Sequence, residues 1–167
     1  MNMASSLQTI FFFVSLIFFV EICQAERTFT DFEKEILLSH NSARADVGVP
    51  PLVWNDILAK YARIYSGDIK RKGCDLNYSN RYGFGESLYK GTNVTGKAAV
   101  EAWVSQKIWY HRDNNTCTSG HDCSDYKQVV WKNSIRVGCY RFRCHDGDNF
   151  VTCEYYPPGN YKGARPY

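Results

Sequence analysis

Apolar and polar positions change their period along this chain of 167 residues, and each change marks an element. Ile10 to Val20 is almost wholly apolar and is followed by the polar stretch Glu21 to Ala25. Eleven residues fall short of the ~20 that span a bilayer, so this run reads as the core of a secretory signal cut before Glu26. Residues 1–25 are then a signal peptide, although no Lys or Arg precedes the apolar run.

From Thr30 the period becomes helical. Thr30-Asp31-Phe32-Glu33 makes a capping box, and Phe32, Ile36, His40, Ala43 and Val47 recur on one face until Gly48, Pro50 and Pro51 stop the run. Asn55 opens a second helix with Ile57, Tyr61, Ile64 and Tyr65 on one face, ending before Gly73. A third helix is expected from about Thr95 to Tyr110, with Ala99, Trp103, Gln106 and Tyr110 in a stripe. The last third turns β-like: Gln128 to Trp131, Ile135 to Arg143 and Phe150 to Tyr155 read as short strands, separated by Asn133-Ser134 and Asp146-Gly147-Asp148-Asn149. Residues 157–167 hold three prolines and two glycines and form no regular element. Helices first and antiparallel strands later predict an α+β domain.

Six cysteines survive removal of the signal: Cys74, Cys117, Cys123, Cys139, Cys144 and Cys153. An even number in an exported chain implies three disulfides in one of fifteen pairings, and the lack of any Cys-x-x-Cys pair argues against zinc. Loss of Glu21 with the signal leaves 20 basic against 16 acidic residues, a net charge of +4 without a concentrated basic stripe. Nucleic-acid binding is not expected on that pattern. Asn77, Asn93 and Asn114 begin glycosylation sequons in segments that read as loops. No second long apolar run follows, so no transmembrane anchor is expected, and the product reads as a secreted monomer.

Four segments carry a resemblance. They are His40-Asn41-Ser42-Ala43-Arg44, Gly83-Phe84-Gly85-Glu86-Ser87-Leu88, Tyr126 to Ser134 with Val137-Gly138-Cys139, and Cys153-Glu154-Tyr155-Tyr156-Pro157-Pro158-Gly159-Asn160. Their order and spacing resemble the CAP superfamily (cysteine-rich secretory proteins, antigen 5, pathogenesis-related class one), and most of all its plant pathogenesis-related class-one members. The likeness covers residues 29–167, with residues 26–156 as the CAP domain. It implies a three-layer α-β-α sandwich with a central, mainly antiparallel sheet, and the pairing Cys74–Cys144, Cys117–Cys123 and Cys139–Cys153.

The resemblance also implies a central cleft where two His and two acidic residues can hold a divalent metal. Its positions fall on His40, Glu86, Gln106 and Asp125, so a carboxamide and a carboxylate stand where Glu and His are usual. Only His40 and Glu86 remain as metal ligands of the usual kind, which implies weak divalent binding at most and no required cofactor. His121, four residues before Asp125, is a substitute ligand to be checked, while His111 has no assigned role. Ser87, next to Glu86, should point to the opposite strand face and away from any base, so no catalytic residue and no enzyme is expected.

The resemblance further implies a secreted, extracellular (apoplast) defence protein that acts on microbes by binding a sterol or another lipid. The aromatic content, 16% of residues, supplies rings for such a ligand, with Trp109 and Tyr110 as contacts. As an alternative, the resemblance implies that Pro157 to Tyr167 is a defence-signalling peptide released by a processing protease. Glu154 and Tyr156 depart from the usual residues before that cut.

Overall fold

The computed structural model describes residues 27–79 and 82–167, so the signal peptide expected at 1–25 lies outside the described residues. The elements are α1 (Asp31–Asp46), β1 (Val53–Trp54), α2 (Asp56–Arg71), β2 (Gly85–Gly91), α3 (Gly96–Ser105), a 3-10 turn (Gln106–Trp109), β3 (Tyr110–His111), β4 (Thr116–Cys117), α4 (Ser124–Val129), β5 (Arg136–Arg143) and β6 (Asn149–Tyr156).

Side-chain caps start the three long helices. Thr30 Oγ1 accepts from Glu33 N at 3.3 Å while Glu33 Oε2 accepts from Thr30 N at 2.8 Å, completing the expected box. Asn55 and Thr95 cap α2 and α3 through Leu58 N and Ala98 N. Each such cap is worth about 1 kcal/mol.

The main sheet has the order β1-β5-β6-β2, with only β1 parallel to its neighbour. Its two faces follow from strand alternation. Val137, Cys139, Val151, Cys153 and Tyr155 face the layer of α1, α3 and α4, where Ile36, Ala99, Val100, Trp103 and Val129 complete the larger core. Leu88 and Phe150 face α2 and pack with Tyr65 and Ile69. Gly138 is required here, because a Cβ would sit 2.2 Å from Ala59 N. The result is the α-β-α sandwich. All three implied disulfides are present: Cys74–Cys144, Cys117–Cys123 and Cys139–Cys153.

Three local expectations need correction. The buried face of α2 is Leu58, Ala62, Tyr65, Ser66 and Ile69. Of the expected face only Tyr65 is buried; Ile57 and Ile64 are 65% and 47% exposed. An apolar stripe one residue out of phase is turned about 100° around the helix. The third helix ends at Ser105, and its last turn tightens into the 3-10 segment before Tyr110 opens a hairpin. Thr118 N takes the Trp109 carbonyl at 2.9 Å and draws the chain off the helix axis.

Gln128 to Trp131, expected as a strand, instead completes α4 and its C-terminal turn. Lys127 N and Val130 N close helical bonds to Cys123 O and Tyr126 O. A short segment buried on all sides carries no periodicity to separate strand from helix.

The C-terminal segment is irregular, as expected, but it is sewn to the domain. Gly159 N donates to Gln128 Oε1 at 2.8 Å, Lys132 N donates to Pro166 O at 2.7 Å, and Tyr126 and Tyr167 share a hydroxyl bond at 2.9 Å. Asn77, Asn93 and Asn114 are all exposed.

The bridges close loops of 70, 6 and 14 residues. Chain entropy assigns them about 4, about 2 and about 3 kcal/mol. Replacing Cys74 and Cys144 together by Ala should therefore lower the melting temperature more than replacing Cys117 and Cys123. Calorimetry of the two double variants checks the order, and the reverse order would show that loop length does not govern their contribution.

Candidate functional site

The central cleft is built by α1, α3, α4, β2 and β6, and its polar groups bond mainly to one another. His40 lies on the inner face of α1, fully buried. Its Nδ1 is 2.8 Å from Ile36 O, a carbonyl that can only accept, so Nδ1 carries the proton. Nε2 is then the acceptor for the Tyr155 hydroxyl at 2.8 Å. Burial, assisted by the positive charge of Arg44, pushes the His40 pKa down to about 4 despite the Ile36 bond, so the imidazole is neutral. Burial raises the Tyr155 hydroxyl well above the usual tyrosine range, so it stays protonated and keeps donating.

Asp125, in the first turn of α4, accepts from Gln106 Nε2 at 3.0 Å and from the Tyr78 hydroxyl at 3.3 Å. Gln106 Oε1 takes Tyr126 N at 3.1 Å, so its amide bridges the 3-10 turn to α4. Burial lifts Asp125 to about 6, while the Ser87 and Gln106 side chains pull the other way. Ser87 Oγ is buried without a hydrogen bond of ordinary geometry, near both Asp125 and Tyr155.

The structure brings His40, Gln106 and Asp125 to this cleft but not Glu86. In β2, Gly85 pairs with Tyr155, Glu86 with Glu154 and Ser87 with Cys153. Successive side chains alternate, so Ser87 shares the His40 face with Tyr155, and Glu86 points with Glu154 toward α2. The expected alternation of Glu86 and Ser87 holds with the faces exchanged. This corrects the pairing of His40 with Glu86 as metal ligands.

On the far face, Glu86 Oε2 accepts from Ser79 N at 2.6 Å, while Glu86 Oε1 and Glu154 Oε1 are buried without a partner. Burial raises Glu86 to about 7, against the pull of Ser79, and raises Glu154 to about 9 with help from the Glu86 charge. One buried carboxyl beside another ionises reluctantly.

These residues do not fit a divalent metal. Both His40 nitrogens are engaged, Gln106 is a neutral amide tied at both ends, Asp125 is bonded twice, and Glu86 faces the other layer. Among the described residues no three of His, Cys, Asp and Glu gather as ligands. His121 does not reach the cleft: its ring stacks on Trp109 at 3.6 Å, 12° from parallel. His111 bonds Thr118 Oγ1 at 2.8 Å. Nor are the two expected lipid contacts available in full. Tyr110 is buried between Tyr126 and Tyr167, and one face of Trp109 is covered by His121.

Sequence reasoning missed Tyr155, Tyr78 and Arg44. Tyr155 had a readable signal: it lies two residues past Cys153, on the face that a cross-strand disulfide must use.

With this geometry in view, comparison with known proteins places the chain. The family model described as "Cysteine-rich secretory protein family" matches residues 37–155. Pathogenesis-related protein 1A of Nicotiana tabacum is 45% identical over 148 residues, covering 87% of this chain and 84% of the relative. Pathogenesis-related protein 1 of Arabidopsis thaliana is 44% identical over 138 residues, covering 82% and 83%. Among solved structures, BmVAL-1 superposes with a TM-score of 0.69 at 19% identity, covering 87% of this chain and 85% of that one. NaASP2, in a crystal structure with Zn2+, gives 0.67 at 20%, covering 87% and 89%, and shares the fold. The chain belongs to the cysteine-rich secretory protein family, in its plant pathogenesis-related class-one branch.

The buried groups set the pH dependence of stability. Glu86, Asp125 and Glu154 keep protons in the folded chain that the unfolded chain releases near pH 4, so folding takes up protons and stability falls as pH rises from about 4 to 9. His40 acts oppositely between pH 4 and 6.5, where only the unfolded imidazole is charged. Three carboxyls outweigh one histidine, so the melting temperature should be higher at pH 5 than at pH 8.5. Glu154→Gln should flatten the fall above pH 7, and a melting temperature that rises with pH would contradict the buried carboxyls.

Proposed function

We propose that the protein is a non-catalytic, extracellular defence protein that holds a sterol or another lipid in the groove between α1 and α3. One observation carries this reading: a hollow of about 460 Å³ runs between the two helices over an apolar floor of Ala43, Val100 and Val104. Leu38 stands at its wall 72% exposed and extends the apolar lining to the mouth of the groove. Ser39, Ser42, Asp46, Lys97 and Glu101 form a polar rim, which suits a ligand with one polar end.

Family membership supports the defence role, and the three disulfides suit an oxidising, extracellular setting. Among the described residues no helix is long and apolar enough to cross a membrane. The central cleft supports the non-catalytic reading. Its imidazole is closed off on both nitrogens and forms no hydrogen bond to Ser87 Oγ, so no Ser-His pair is assembled. Release of Pro157 to Tyr167 as a signalling peptide is disfavoured by the bonds that hold this tail to α4 and its flanks.

Mature protein and labelled sterol in non-denaturing buffer test the reading, with palmitate as competitor. Saturable binding is expected, indifferent to added Zn2+. Ser42→Trp, which fills the groove from an exposed position, should abolish it while leaving the melting temperature within a few degrees. Binding that survives Ser42→Trp would place the ligand elsewhere, and absence of binding by both lipids would end the lipid reading.

A further inference from the structure

The sheet is left open on one side. β1 contributes two residues, pairing Val53 with Arg136 and Trp54 with Val137, and then Asn55 N takes the Val137 carbonyl as the chain turns into α2. Beyond that point β5 runs on to Arg143 with β6 on its inner side and, among the described residues, no strand on its outer side. Backbone groups of alternate residues point to alternate edges, and Val137 points outward. Arg141 and Arg143 therefore also present their N–H and C=O outward, in the exposed part of the edge.

Two hollows flank this stretch, one on each face. On the α2 side, Tyr140 and Phe142 floor a hollow of about 250 Å³ walled by Arg63, Ser66, Gly67 and Lys70. On the α1 side, a hollow of about 350 Å³ lies among Thr30, Phe32, Glu33, Cys139 and Arg141. An added strand sends successive side chains to opposite faces, which is the arrangement these hollows would receive.

The charge around the edge has one sign to offer. Arg63 and Lys70 are exposed and pair with no carboxylate among the described residues. Arg141 donates to the Val94 carbonyl and lies over the Phe32 ring, and Arg143 donates to the Gly147 carbonyl, so both keep their charge unneutralised. Glu33 is already committed to Arg27 and to the cap of α1.

We propose that the edge of β5 from Tyr140 to Arg143 is a docking site for an extended acidic segment of a partner protein, added to the sheet as a further strand. A second copy of this chain does not fit, because edge-to-edge pairing would set Arg141 and Arg143 against their own counterparts. The chain's own tail does not fit either; it carries Lys162 and Arg165 and is bound elsewhere. The same arginines that deter self-association select for carboxylates, so specificity comes from repulsion and attraction together.

The test uses the mature full-length protein and a capped peptide of alternating Glu and Val, about nine residues long, read by fluorescence anisotropy and by amide exchange. Binding is expected at low salt, weakening as salt screens it, with slowed exchange at the Arg141 and Arg143 amides. Arg63→Glu with Lys70→Glu, both at exposed positions, should weaken it roughly tenfold or more. Arg143→Gln should retain part of the affinity. Arg143→Pro should remove it, because proline deletes an outward N–H and leaves the β6 ladder intact.

A peptide of alternating Glu and Pro, equal in charge but unable to pair, should not bind. Equal binding of that peptide, or of polygalacturonate or anionic vesicles without protection of the two amides, would reduce the edge to an ionic patch and overturn the proposal. No binding of the Glu-Val peptide at low salt would overturn it as well.

Discussion

A single buried guanidinium ties the two ends of this domain together. Arg44, in the last turn of α1, is fully buried and donates to four carbonyl oxygens: Pro50, Val129, Trp131 and Ser134, at 2.7 to 2.9 Å. The Val129 carbonyl is one that the end of α4 leaves unsatisfied, and the Trp131 and Ser134 carbonyls lie on the turn from α4 into β5. Burial lowers the Arg44 pKa only to about 10, so it remains a cation at neutral pH, held by dipoles instead of a carboxylate. Lysine could not replace it, because four acceptors around one plane require the guanidinium fork. Arg44 thus ties the C-terminal end of α4 to α1, while the Gln106 amide holds the first turn that carries Asp125.

The second constraint is the alternation of β2 and β6. The cross-strand bridge Cys139–Cys153 fixes which face of the sheet meets α1 and α3, and every second residue follows. Tyr155 is carried to His40, and Glu154 is carried to Glu86 on the other side. One register thus creates two separate buried polar groups, a hydrogen-bonded cleft around a neutral imidazole and a pair of carboxyls that both release their protons well above the usual carboxylate range. A linear motif containing both Glu86 and Ser87 gives no hint of which one faces the imidazole.

Much of the fold was legible because its signals are local. The Thr30 box, the Asn55 cap, the β5–β6 pair and the evenness of the cysteines each follow from a few neighbouring residues. The errors came where the signal was not local. Ile57 and Ile64 look like core and are surface, because the phase of α2 is set by its fit against Gly138 and Leu88 on the sheet. The run through Val129 and Val130 looks like a strand and is a helix end, because Arg44 and the tail supply its hydrogen bonds from far along the chain. The site was half legible: Gln106 and Asp125 were singled out and do bond to each other, but His40 is bonded to Tyr155 and Asp125 to Tyr78, partners to which the motifs assigned no role.

These two constraints account for where function can reside. A polar cleft becomes reactive when a base or a ligand is left with a free electron pair facing an accessible space. Here the Nε2 lone pair is taken by Tyr155, Asp125 is divided between Gln106 and Tyr78, and Arg44 is saturated by carbonyls. The polar interior of this cleft stabilises one arrangement of helices on a sheet, while Ser87 Oγ here and the Oε1 atoms of Glu86 and Glu154 on the far face stay without a hydrogen bond. Outside the interior lie an apolar groove between α1 and α3 and a cationic strand edge that the two-residue β1 covers only at its start. Both are properties of rigid elements, so neither requires the buried network to open.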